Sequence, residues 1–236
     1  MGKTPDRKGL RRGGGRSIAP VLQHSSTPCS GRRAVFVDRD GTLNEMVYDE
    51  THGLLDSPRR PEQVKMLPGA AGFIRGCQKL GYLVVVITNQ PGIAKGTLSM
   101  EELAAVNARV VELLKADGAA WDDMRFCPHH PKGDEGGRAE YVQDCACRKP
   151  RPGMILDAAQ KHGIDCAQSW VVGDGLNDVQ AGRAAGCRTI LVTRLKAEQV
   201  ERFFGPGNAE PDAIVSKLED ALAVIKKATR PGQARG

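Results

Sequence analysis

The run Leu83-Val84-Val85-Val86-Ile87 has no polar residue at any position. A strand apolar on both faces has no side for water, so it belongs inside a parallel sheet covered by helices above and below. Further strand-length, largely apolar runs fall at residues 34–37, 124–127, 169–172 and 188–192. Between them the apolar spacing switches to a helical period at 69–80, from Ser99 to about 116, at 153–161, at 178–185, and from Ser216 to about 227. Ser99-Met100-Glu101-Glu102 has the form of a capping box, Ser216-Lys217-Leu218-Glu219 likewise. This alternation predicts an α/β fold, a doubly wound (Rossmann-like) parallel sheet with right-handed crossovers. One stretch resists the pattern. Residues 44–68 form a long connection with three prolines, too long for an idle loop, and are expected to form a functional surface.

Net charge says little about function until it is divided. The chain carries +6, yet its first 33 residues hold eight lysines and arginines against Asp6 alone, which leaves −1 for everything after them. The basic character thus sits in a Gly-, Pro-, Ser- and Arg-rich stretch without periodicity, a composition that cannot bury enough apolar surface to order itself. We expect 1–33 to be a disordered basic tail, 34–228 one folded domain, and 229–236 a flexible end. The folded part is near neutral and aromatics are 4% of the chain, which argues against a nucleic-acid-binding module built on the tail. No apolar run has the length of a membrane span or a signal peptide. Seven cysteines without a secretory signal are expected to be reduced thiols, in a cytoplasmic, monomeric protein.

The chemistry lies at the ends of the expected strands. Asp38-Arg39-Asp40-Gly41-Thr42 follows the run 34–37, so two carboxylates stand where a buried strand stops. Acids there are costly unless a cation or a developing charge uses them, and the carboxyl ends of an open α/β sheet are where ligands bind. Thr88-Asn89, Arg148-Lys149 and Asp174 with Asp178 fall at comparable positions. Together they suit phosphoryl transfer. Asp38 attacks phosphorus to form an aspartyl-phosphate. Asp40 protonates the leaving oxygen and then activates water. Asp38, Asp174 and the main-chain carbonyl of Asp40 suit Mg²⁺. Thr88 and Lys149 hold the phosphoryl oxygens.

A second constellation is Cys127-Pro128-His129-His130-Pro131 followed by Cys145-Ala146-Cys147-Arg148-Lys149-Pro150. Three thiolates and an imidazole make a closed tetrahedral Zn²⁺ site, structural because no position is left for water. The intervening residues are rich in glycine and charge, so the metal must supply the energy that orders them. His129 fits the spacing better than His130. Cys147 abuts Arg148 and Lys149, which makes zinc a scaffold for the cations and not a reagent.

The motifs Asp38-Arg39-Asp40-Gly41-Thr42, Thr88-Asn89, Lys149 and Gly173-Asp174-Gly175-Leu176-Asn177-Asp178 resemble those of the haloacid dehalogenase superfamily of phosphohydrolases. With Thr88-Asn89-Gln90-Pro91-Gly92, the cysteine–histidine loop and Arg148-Lys149-Pro150, the chain is similar to the D-glycero-D-manno-heptose 1,7-bisphosphate 7-phosphatases. The histidinol-phosphate phosphatases, close relatives, are the alternative. The resemblance implies removal of the 7-phosphate of a heptose bisphosphate, on the route to nucleotide-activated heptose, by an enzyme without a large cap domain. It implies that Arg148 selects the substrate and that Met46, Val47, Tyr48, Asp49, Asn89 and Gln90 contact it, with Asp178 an acid supporting the metal site. Two features depart from the family pattern: Gly175 stands where a lysine is usual, and residues 53–68 form a longer loop.

Overall fold

Hydrogen bonding in the computed structural model sets six strands side by side, all parallel, among the described residues 31–50, 53–133, 137–204 and 210–229. In chain order the elements are β1 (Arg33–Val37), β2 (Val47–Asp49), β3 (Leu54–Asp56), α1 (Ala70–Lys79), β4 (Tyr82–Asn89), α2 (Gly92–Lys95), α3 (Met100–Ala116), β5 (Asp123–Cys127), α4 (Gly153–His162), β6 (Trp170–Gly173), α5 (Leu176–Ala184), β7 (Arg188–Val192), α6 (Ala197–Phe204), β8 (Ala213–Val215) and α7 (Leu218–Thr229). The sheet order is β5-β4-β1-β6-β7-β8. The chain builds outward from β1 through β4 to β5, then returns to β1's other side with β6. The order therefore reverses between β1 and β6, and a ligand crevice is expected at their carboxyl ends.

Alternation along the strands divides the core. Val35, Val37, Val84 and Val86 pack on one face with Phe73 and Ile74 of α1, Val106 and Val110 of α3, and Ala221 and Ile225 of α7. Ala34, Phe36, Val85 and Ile87 pack on the other with Met154, Ile155 and Ala158 of α4 and Ala181 of α5. Phe36 and Ile87 are fully buried, and burial of each such side chain contributes roughly 1.5–3 kcal/mol. The expected cap of α3 is formed: Ser99 Oγ accepts from Glu102 N–H at 3.0 Å, and Glu102 Oε2 accepts from Ser99 N–H at 2.7 Å.

Three features differ from the sequence expectation. The fold starts before residue 34, because Arg33 opens β1 opposite Tyr82 and the Arg32 N–H donates to Gly163 O. Neither arginine is apolar, so hydrophobic patterning could not include them. The long connection contains an antiparallel hairpin, β2 with β3, standing off the main sheet. None of its side chains is buried, with Tyr48 60% accessible, so it lacks the buried stripe that marks a strand. The segment after β7 also supplies α6 and β8, which the periodicity did not indicate. Residues 1–30 and 230–236, most of the expected tail and end and Cys29 with them, lie outside the described residues. No described helix is long and apolar enough to cross a membrane.

Candidate active site and metal-binding loop

Asp38 leaves β1 with its backbone N–H bonded to Val172 O of β6, which fixes it at the crevice between the two strands. Lys149 comes from the opposite side. Its ammonium donates to Asp38 Oδ1 at 2.6 Å, Asp178 Oδ1 at 2.6 Å and Ile87 O at 2.9 Å, and it is only 5% exposed. Burial works against that charge, but Asp178 and Asp38 outweigh it and hold the lysine protonated above its ordinary range. Asp38 experiences the reverse. Burial raises its carboxyl well above the usual value, Lys149 lowers it, and Asp178, Asp174 and Asp40 raise it again. Asp174 faces the open cleft, yet desolvation from beneath and the Asp178 charge bring it to about 6.

The arithmetic of charge is decisive. Carboxylate oxygens of Asp38, Asp174 and Asp178 lie within 4.8 Å of one another, and Lys149 neutralises only one of the three. An oxygen-only cluster with excess negative charge suits a hard divalent cation. Asp38 and Asp174 are the expected pair, Asp178, expected as a supporting acid, lies with them, and the Asp40 side chain turns aside.

Asp40 turns toward its neighbour. Arg39, fully buried, donates from Nε to Oδ1 at 3.0 Å and from Nη2 to Oδ2 at 2.8 Å. Asn44 Nδ2 reaches Oδ1 at 3.0 Å, while Ser57 Oγ and Gln90 Nε2 reach Oδ2 at 2.9 and 2.8 Å. Burial pushes the Asp40 carboxyl upward, but the Arg39 charge and these donors hold it below its usual value. The group is thus an ionised carboxylate with a fixed orientation. Two glycines keep the acids this close. Gly41 has φ +87°, and a Cβ there would strike the Asp174 carboxylate; a Cβ on Gly173 would strike the Asp178 side chain.

Not every expected residue faces the cleft, whose free space of about 300 Å³ is lined by Asp38, Asp40, Met46, Asn89, Arg148, Lys149, Asp174 and Gly175, among others. Asn89 spends its amide on Lys149, accepting from its N–H and donating to its carbonyl, both at 3.1 Å. Gln90 is buried and donates to Asp40 and to Thr88 Oγ1, the latter at 3.0 Å. Val47, Tyr48 and Asp49 line an adjoining groove of about 430 Å³ with Arg59, Arg60 and Glu102. Arg39, Asn44 and Ser57, which the sequence reading did not single out, all grip Asp40. The available signal was Arg39 itself, a charge sandwiched between two acids beside a buried strand.

The cysteine–histidine loop closes on itself. Cys127 Sγ lies 3.5 Å from Cys145 Sγ and 3.3 Å from Cys147 Sγ, and Cys147 lies 3.3 Å from Cys145. His129 Nδ1 is 3.3 Å from Cys147 Sγ and 3.7 Å from Cys127 Sγ. Ligand bonds of about 2.0–2.3 Å in a tetrahedron put donor atoms about 3.3–3.8 Å apart, so these four could hold zinc without rearrangement. Burial works against the Cys145 thiolate, yet hydrogen bonds from Cys147 and the Arg148 backbone hold the group below its ordinary value. His130 turns away, its Nδ1 bonded to the Lys132 backbone. Arg148 Nη1 donates to His129 O at 3.3 Å, tying the cation to the loop.

Comparison with known proteins converges on one family. A HAD-hydrolase-like family model matches residues 146–221. A curated D-glycero-beta-D-manno-heptose-1,7-bisphosphate 7-phosphatase of Rhodopseudomonas palustris is 39% identical over 172 residues, 73% of this chain and 88% of its own length. The chain belongs to the heptose bisphosphate phosphatase family of haloacid dehalogenase-like hydrolases. It is therefore a phosphoric monoester hydrolase by family. Among solved structures, a HAD-like phosphatase of Mesorhizobium loti has a TM-score of 0.68 at 33% identity, covering 93% of each chain. The D,D-heptose 1,7-bisphosphate phosphatase of B. bronchiseptica, complexed with magnesium and phosphate, has a TM-score of 0.66 at 29% identity, covering 83% of this chain and 99% of its own.

Proposed function

We propose that this protein is a cytoplasmic, monomeric, magnesium-dependent phosphatase that removes the 7-phosphate of D-glycero-D-manno-heptose 1,7-bisphosphate. The observation that carries the reading is the Asp38–Lys149–Asp178 bridge beside Asp174 at the strand-order reversal, in a member of this family. Asp38 is the nucleophile. Its Oδ attacks phosphorus in line, the ester P–O bond breaks, and an aspartyl-phosphate forms. Asp40, ionised in the substrate-free protein, must take up a proton from solvent as the anionic phosphate binds; it gives that proton to the departing sugar oxygen and later takes one from the water that hydrolyses the acyl phosphate. Lys149 and Thr88 hold phosphoryl oxygens, and Asn89 and Gln90 serve by fixing Lys149 and Asp40. Asp38, Asp174 and the Asp40 carbonyl would hold Mg²⁺, with Asp178 supporting, and that cation would neutralise carboxylate against phosphate. Cys127, His129, Cys145 and Cys147 would hold Zn²⁺, which would order the loop carrying Arg148. Arg148 recognises the distal phosphate, the more so because Gly175 offers no side chain.

The curated relatives are named for the β anomer, which makes the β-bisphosphate the expected preference. Turnover of the α and β heptose 1,7-bisphosphates and of histidinol phosphate decides it. A higher kcat/KM for histidinol phosphate would overturn the heptose assignment while leaving the chemistry in place.

Metal affinity should depend on pH with a definite sign. Mg²⁺ needs ionised carboxylates, and the Asp174 carboxyl protonates at about 6 in the metal-free protein. Below that value protons compete with the cation. The apparent Kd for Mg²⁺ is expected to rise by at least about tenfold between pH 7.5 and 5, the minimum that the one proton on Asp174 requires, with the raised Asp38 carboxyl acting in the same direction. Titration calorimetry at the two pH values checks this, and a pH-independent Kd would remove Asp174 from the metal site.

A further inference from the structure

Arg39 makes one contact that leads out of the active site. Its Nη1 donates at 2.5 Å to Oδ1 of Asn107, in the middle of α3 and 68 residues away in sequence. The guanidinium is fully buried and carries Asp40 on its other edge through two parallel bonds. A bidentate pair fixes cation and carboxylate relative to each other. Asn44, Ser57 and Gln90 hold the pair from the carboxylate side, and Asn107 holds it from the guanidinium side. Asn107 sits between Val106 and the turn leading to Val110, both fully buried against the sheet, so its amide is carried on a seated helix. Neither the sequence motifs nor the metal and phosphate contacts include it.

We propose that Asn107 is a positioning residue for proton transfer, acting through Arg39 to hold Asp40 where it meets the leaving oxygen. The inference rests on Asp40 being the acid and base of the proposed mechanism. Asp38, Lys149 and the acids around them do not depend on Asn107, so its loss should affect the proton-transfer step and spare the others. A structural role would weaken every step alike.

The leaving group separates these cases. An alkoxide needs a proton as it departs, whereas p-nitrophenolate leaves without one. Rapid-quench measurement of aspartyl-phosphate formation, from the sugar phosphate and from p-nitrophenyl phosphate, isolates the first step from hydrolysis. For Asn107→Leu the rate with the sugar phosphate should fall roughly tenfold, part of the 10²–10⁴-fold that a positioned acid–base group supplies, with KM little changed. The rate with p-nitrophenyl phosphate should change by less than about twofold. Asn107→Asp keeps an acceptor oxygen at the same reach and should restore most of the sugar-phosphate rate. It also provides the comparison if the leucine variant folds poorly. Equal losses with both substrates, or no loss with either, overturn the inference. Asp40→Asn serves as the reference: if it shows no leaving-group selectivity, the assignment of Asp40 fails and not the role of Asn107 alone.

Discussion

Replacement of Asp38 by Asn is expected to lower kcat by at least about four orders of magnitude, or about 5.4 kcal/mol of transition-state stabilisation at 1.36 kcal/mol per decade. An amide oxygen neither attacks phosphorus effectively nor forms a hydrolysable acyl phosphate, so the covalent route closes entirely. The fold should survive, because Lys149 keeps Asp178 and the Ile87 carbonyl as partners. Without metal, the Asp38→Asn variant should even melt higher than the wild type at neutral pH. Burial and three neighbouring acids raise the Asp38 carboxyl well above its unfolded value, so its ionised form is a cost the folded state bears. That cost is present above the folded pKa and is relieved as pH falls through it. The difference in Tm should therefore shrink on acidification. Circular dichroism melts across pH, together with steady-state turnover, test both halves. Residual activity near the wild-type level would end the aspartyl-phosphate mechanism.

The second large effect is expected at the cysteine loop. Cys145→Ser replaces a thiolate with a hydroxyl that stays protonated and ligates weakly. Loss of a partner one shell out costs about 10–100-fold in metal affinity, so loss of a direct ligand should cost more than about a hundredfold. Structural zinc sites contribute on the order of 10–16 kcal/mol of binding energy to the segments they order. Here that segment carries Arg148, bonded to His129 O, and Lys149, bonded to Asp38 and Asp178. Zinc content should fall from about one per chain toward zero, as a single closed site requires. Melting temperature and kcat/KM should drop with it. The kcat/KM loss should be larger for a bisphosphate than for a monophosphate, since Arg148 is the cation whose placement depends most directly on the loop. Zinc measured by atomic emission, with kinetics on both substrates, checks this. A variant with full activity and no bound zinc would detach the loop from substrate recognition.

Much of this could be read from the chain because the decisive signals were local. An all-apolar, β-branched run of strand length such as 83–87 reads as a buried strand, and Asp38-Arg39-Asp40 at the end of another reads as a site once Thr88-Asn89, Lys149 and Asp174 fall at comparable positions. The cysteine–histidine spacing had the same quality, since donors separated by one residue already share a small volume. The hairpin β2–β3 was different. Its strands are three residues long with no buried side chain, and periodicity needs a buried face to be visible. β8, three residues long with no buried side chain, escaped for the same reason, and α6 because eight residues give little more than two turns of a period.

The sequence by itself determined the sheet, the acids at its edge and the clustering of the cysteines with His129, because each depends on residue type at short spacing. Only the tertiary structure decided which group faces which. Asp178 joins Asp38 and Asp174, while Asp40 turns to Arg39, Ser57 and Gln90. Asn89 and Gln90 hold other catalytic groups in place, and Asn107 reaches the site from a helix far along the chain. Those pairings are set by how charge is shared in a crowded, desolvated cleft. Side chains there choose partners by distance and charge, and neither is fixed until the strands and helices have packed.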